Sequence, residues 1–109
     1  MANEEIAAGR PGFRPVHPGR VLRNSVLPDL EKRGVTVVDF AAHLGLSRQT
    51  VYQIANEARP VTADVAARLA AALGNSASFW LNMQANHDAW EAERSHDIRR
   101  IKRLNLAPL

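Results

Sequence analysis

Around the apolar residues Val51 and Ile54 the chain places Arg48, Gln49, Thr50, Tyr52, Gln53 and Asn56. At helical spacing these side chains project away from Val51 and Ile54 and form a polar outer face. Arginine can bridge O6 and N7 of guanine, and glutamine can bridge N6 and N7 of adenine. A merely solvated helix more often carries Glu and Lys pairs. The row therefore reads as a set for base edges in a major groove, with Arg48, Gln49, Thr50 and Gln53 reaching bases. Arg48 has a phosphate as its alternative. Thr36, Ser47, Tyr52, Asn56 and Arg59 are the expected phosphate contacts, the first two because free N–H groups at helix starts attract anions.

Other chemistries find no support. The chain has no cysteine, hence no disulfide framework, thiolate metal site or cysteine nucleophile. His17, His43, His87 and His96 include no pair at the i, i+4 spacing of a helical metal site. There is no glycine-rich phosphate loop, no nucleophile elbow and no convincing carboxylate pair. Asp88, Glu91 and Glu93 read as a solvated helix face. No catalytic residue, metal or cofactor is expected. With 109 residues, 46% apolar and 23% charged, the composition is that of one soluble domain with tails. No apolar run suits a membrane span, and Met1 to Gly9 lacks the apolar core of a signal peptide, so the expected location is the cytoplasm.

The net charge of +3 is unevenly spread. Residues 62–97 hold two basic groups against five acidic ones, while residues 98–109 hold four basic and no acidic groups. Residues 37–61 hold two of each sign, so any affinity for a polyanion needs charge from elsewhere. The sources on offer are the N-terminal arm, with Arg10 and Arg14, and the C-terminal tail, whose role is either an auxiliary contact to DNA or partner, or inert charge.

Start and stop signals place the elements. Pro18 suits a first helical turn, and Pro28 is expected to end or kink that helix near Leu27. Thr36 caps a second helix with Asp39 three residues on, and Gly45 stops it. Ser47 caps the third, which carries the polar row. Thr62 and Gly74 bracket a fourth, and Ser76 caps a longer fifth that runs beyond Trp90. No segment shows sustained period-two alternation, so no sheet is expected. In Val37 to Asn56, VVDFAAHLGLSRQTVYQIAN, Phe40, Leu44, Leu46, Val51 and Ile54 fill a wedge. Ala41 lets two backbones approach, and Gly45 supplies the positive φ of a sharp turn. This is the pattern of a helix-turn-helix.

Late in the chain Phe79, Trp80, Met83 and Trp90 lie near helical spacing. They divide between ordinary core, favoured for Phe79 and Met83, and an apolar surface between two copies. Trp80, Met83 and Trp90 are the candidates for that surface, Trp90 foremost.

HPGRVLRNSVL at 17–27, the helix-turn-helix at 37–56, NEARPVT at 56–62 and NSASFWLNMQANHDAWE at 75–91 occur in this order. Together they resemble the HigA-type antitoxins of the Xre-like regulators, over about residues 17–93. The resemblance implies an all-α dimer that binds a palindromic operator in its own promoter and neutralises a HigB-type mRNA-cleaving toxin. Two departures stand out. The family loop Asn-Gly-Lys-Arg is here Asn56-Glu57-Ala58-Arg59, which leaves Arg59 alone to reach a phosphate, and the acid usual after His-Pro-Gly is Arg20.

The expected architecture is a compact five-helix, Xre and phage-repressor-like fold. It comprises a flexible arm (1–16), a DNA-binding domain closed by a dimerisation helix (17–93) and a basic tail (94–109). The expected function is that of a sequence-specific repressor and antitoxin. Its rivals are a solitary Xre-family regulator without a toxin and a protein-interaction inhibitor with weakened DNA binding.

Overall fold

The protein is described by a computed structural model covering residues 14–106; Arg10 and the rest of 1–13, and the last three residues, lie outside it. Among the described residues every regular element is helical. Helix α1 is continuous over 18–32 in three pieces: Pro18–Val21, a π-helical turn Leu22–Val26, and Leu27–Lys32. It is followed by α2 (Val37–Leu44), α3 (Arg48–Ala55), α4 (Ala63–Leu73), α5 (Ala77–Glu93) and a short α6 (His96–Arg99). None of these helices is long and apolar enough to cross a membrane.

Helix α1 narrows the expectation that Pro28 ends or kinks it near Leu27. Pro28 does not end it. A proline inside a helix lacks the N–H for its own bond and crowds the carbonyl four residues back. Here the turn before it is widened, so that the Leu27 N–H bonds the Leu22 carbonyl five residues back. The wider turn admits the ring, and the helix runs on to Lys32.

The start of α1 is built from three consecutive residues. His17 is the N-cap, its Nδ1 accepting the Gly19 N–H at 2.9 Å. Pro18 supplies the preset φ of the first turn. Gly19 lies so close to α3 that a Cβ there would stand 1.8 Å from the Ile54 carbonyl oxygen. Only glycine lets the two backbones meet.

Leu22, Phe40, Leu44, Val51, Ile54 and Leu69 meet at the centre, with the small Ala41 and Ala66 buried among them. Trp80 closes this core from α5 and is fully buried. Its indole N–H donates to Asn75 Oδ1 at 2.9 Å. Trp80 therefore has no surface to offer a second copy, contrary to its expected place between protomers. Phe79 behaves the opposite way: expected in the core, it is 46% exposed, standing edge-on to Trp80. The two differ by one position, about 100° around the helix, and that rotation carries one ring inward and the other out.

Both ends of the chain also depart from expectation. Pro15 is buried, and Arg14 pairs with Glu91 of α5 at 2.9 Å, so residues 14–16 lie against the fifth helix rather than forming part of a free arm. In the tail, Ser95 caps a further turn of helix before residues 101–106 run without regular structure.

Candidate nucleic-acid interface

Helices α2 and α3 form the two limbs of the reading unit. Thr36 Oγ1 accepts the Asp39 N–H at 3.1 Å, and Asp39 Oδ2 accepts the Thr36 N–H at 3.4 Å, a complete capping box. Ser47 Oγ caps α3 by accepting the Thr50 N–H at 3.0 Å and lies 2.8 Å from Thr50 Oγ1. The two N-termini differ in charge. The first turn of α2 holds the Asp39 carboxylate, which repels a phosphate, whereas that of α3 has no acid and carries Arg48. The α3 end is the better anion seat of the two.

Each limb then closes in the same way. At the end of α2 the Leu46 N–H bonds the Ala41 carbonyl at 2.9 Å and the Gly45 N–H bonds the Ala42 carbonyl at 3.1 Å. At the end of α3 the Ala58 N–H bonds the Gln53 carbonyl and the Glu57 N–H bonds the Ile54 carbonyl, both at 2.9 Å. These are two Schellman motifs. Each needs a left-handed residue: Gly45 at φ 74° in the first, Glu57 at φ 63° in the second. The chain thus keeps the fold's geometry at Glu57 without the glycine that adopts it at least cost.

An arginine from outside the reading unit holds each end. Arg68 of α4 donates through Nη1 to the Leu44 carbonyl at 2.8 Å and pairs with Asp64 on its own helix at 2.9 Å. Arg23 of α1 donates through Nη1 to the Ala55 carbonyl at 2.7 Å and lies 3.3 Å from the Glu57 carboxylate. Cations there satisfy terminal carbonyls and oppose the negative end of the helix dipole. The loop after α3 is fixed from a third side by Gln84 of α5. That buried side chain accepts the Val61 N–H at 2.7 Å and donates to Asp88 at 2.9 Å.

The expected base-reading residues come together on α3. Arg48 and Gln49 are exposed in its first turn; Thr50 and Gln53 are half-buried, Thr50 partly engaged by the Ser47 cap. Tyr52, at 44% exposure, and Asn56, the C-cap residue, lie open on the same helix. Arg59 is exposed in the following loop. Thr36 stands apart at the start of α2. Arg20 is exposed on α1, with no ion pair among the described residues.

On α5, Met83 is half-buried against the core. Trp90 is half-buried between cations, with the Arg94 guanidinium 4.2 Å from its ring centre and that of Arg14 at 5.9 Å. Its indole nitrogen is shielded and has no hydrogen-bond partner among the described residues.

Four functional positions were not legible in the sequence: Arg23, Arg68, Gln84 and the capping role of His17. The first three act on backbone groups 32, 24 and 23 residues away, so no local pattern marks them. His17 precedes a Pro-Gly pair, and that much was a local signal.

Residues 29–80 match the helix-turn-helix family model. Antitoxin HigA-1 of Vibrio cholerae is 40% identical over 83 residues, covering 76% of this chain and 75% of that protein. The Pseudomonas aeruginosa antitoxin HigA, solved with the higBA promoter, is 33% identical with a TM-score of 0.69, covering 84% of this chain and 99% of that one. Antitoxin GraA, solved in complex with its operator, is 35% identical with a TM-score of 0.72, covering 89% of this chain and 98% of that one. With a second limb that presents its polar row outward, and with this likeness over most of both chains, the protein belongs to the HigA-type group of the Xre-like helix-turn-helix family.

Proposed function

We propose that the protein is a dimeric, sequence-specific DNA-binding repressor and the antitoxin of a toxin–antitoxin pair, reading a palindromic operator and neutralising a HigB-type, mRNA-cleaving toxin. The observation that carries the DNA reading is the outward row on α3, built on a limb whose two ends are both satisfied. Gln49 and Gln53 contact base edges, Arg48 a guanine or a phosphate, and Thr50 the flank of the same site. Ser47, Tyr52, Asn56 and Arg59 contact phosphates, with Thr36 the weakest of the set because of Asp39.

One such helix covers too few base pairs for specificity on a genome, so two copies read half-sites about one helical turn, ~34 Å, apart. We place the surface between copies on 76–93, with Trp90 and Met83 at its centre. The antitoxin assignment rests on the names and operator complexes of the relatives.

Operator binding of Gln49→Ala and Gln53→Ala tests the reading face. A lost bidentate contact removes roughly 1–3 kcal/mol of discrimination while sparing non-specific binding. Unchanged operator affinity in both variants removes the assignment. Co-expression with the adjacent open reading frame, followed by co-purification and a growth assay, tests the antitoxin role. The neutral charge of 37–61 and the acid at Glu57 favour a second reading, a protein-interaction inhibitor with weak DNA binding. Growth rescue without operator binding selects it.

A further inference from the structure

The C-terminal segment is left without a partner. Ile98, Ile101, Leu104 and Leu106 are 45%, 71%, 72% and 65% exposed. Arg99, Arg100, Lys102 and Arg103 interleave with them, and none of the four forms an ion pair among the described residues. Phosphate contact asks only for the cations. Four aliphatic side chains in nine residues ask for a protein surface as well.

Matching charge exists on the same chain. Residues 88–97 hold Asp88, Glu91, Glu93 and Asp97 against the single Arg94. Asp88 is engaged by Gln84 and Glu91 by Arg14, while Glu93 meets Arg94 only at 4.0 Å. Asp97 has no ion-pair partner among the described residues. The tail leaves the end of α5 without folding back on these acids.

We infer that the tail of each protomer lies across the acidic end of α5 and the start of α6 on a second copy of this chain, its basic residues facing Glu93 and Asp97. This rests on the dimer surface placed on α5 above. With two such helices crossing near Trp90, α5 ends at Glu93 about 5 Å along its axis from the crossing, and the chain turns at Arg94 and Ser95 into α6. Extended, residues 101–106 reach about 20 Å, enough to span the acids at 88–97 of the other copy. Opposite charges then meet, and the aliphatic side chains leave water.

Sedimentation equilibrium tests the exchange. It compares the full chain, a chain ending at Asp97, the double variant Glu93→Lys/Asp97→Lys, and the double variant ending at residue 97. Circular dichroism checks that each is folded. Truncation is expected to weaken dimerisation about tenfold in low salt and less in high salt, because exposed charges are screened. The double variant should lose a similar factor, and combining the two changes should cost no more than either alone. A dimer constant unchanged by truncation overturns the inference, as does additive loss in the combined chain. An unchanged dimer constant with a flatter salt dependence of operator binding moves the tail to DNA and also overturns it. A dimer indifferent to its tail leaves the α5 surface standing; a full chain that never dimerises removes that surface as well.

Discussion

The two limbs of the reading unit end on the same pair of backbone hydrogen bonds, yet they meet the need for a left-handed residue differently. Helix α2 ends on Gly45, and its arginine, Arg68, is tied to Asp64 on the helix that supplies it. Helix α3 ends on Glu57, and its arginine, Arg23, is tied to Glu57 itself. A non-glycine residue in this region carries a backbone cost of roughly 1–2 kcal/mol. The exposed Arg23–Glu57 pair returns only part of it, about 0.2–1 kcal/mol. The limb proposed to read DNA thus has the more strained end and depends on α1 to hold it. The limb behind it has the relaxed end. The lesson is that a helix end is specified by its hydrogen-bond geometry, and that a residue poorly suited to that geometry is tolerated when a neighbouring element anchors it.

The sharpest way to break the α3 anchor is Gly19→Ala. Its methyl group meets the Ile54 carbonyl, so α1 must move away from α3. The expected cost is about 3 kcal/mol, read by urea denaturation. An unaltered midpoint would show that α1 does not position the reading helix.

Next come Arg23→Ala and Arg68→Ala, each leaving one terminal carbonyl without its donor. Each should cost roughly 1–3 kcal/mol. The comparison predicts a difference in function: Arg23→Ala loosens the reading helix and lowers operator affinity, whereas Arg68→Ala lowers stability with affinity per folded molecule retained. Equal effects on affinity would erase the distinction between the two ends.

Acid acts on the cap of α1, the helix whose Arg23 holds the α3 end. His17 is held below its ordinary pKa of 6.5 mainly by burial and next by His87, with Arg14 adding to this and Glu57 and Asp88 opposing it. Its Nδ1 must keep a lone pair for the Gly19 N–H. The unfolded chain therefore binds this proton more readily than the folded one. Stability is full above pH 6.5 and declines as the pH falls through that value toward the lower folded pKa. Thermal melts between pH 7.5 and 5.5 should show this fall, and His17→Asn, which caps without titrating, should flatten it. A slope unchanged in that variant would assign the acid sensitivity to other groups.

The smallest effect is expected at the strained residue. Glu57→Gly relieves the backbone and forfeits the ion pair, a net gain of up to about 1 kcal/mol. Removing a carboxylate beside the reading helix should also raise operator affinity a few-fold in low salt. A loss of stability would mean that the Arg23 pair outweighs the strain.

Much of this molecule was determined by its sequence alone. The caps at Thr36, Ser47, Thr62 and Ser76, the stop at Gly45 and the polar row on α3 are local features, readable because a helix end or face is set by residues within one or two turns. Tertiary structure decided the rest. The widened turn that carries α1 through Pro28 depends on backbone adjustments that periodicity does not record. Whether Phe79 or Trp80 faced inward depended on the rotation of α5 against the core, and both are aromatic, so composition offered no preference. Arg23, Arg68 and Gln84 satisfy backbone groups far along the chain, and only the packed fold brings donor and acceptor within 3 Å. The left-handed turn at Glu57 is the clearest case: its side chain gives no local reason for a positive φ, which follows from the hydrogen bonds that close α3 and the arginine on α1 that holds them in place.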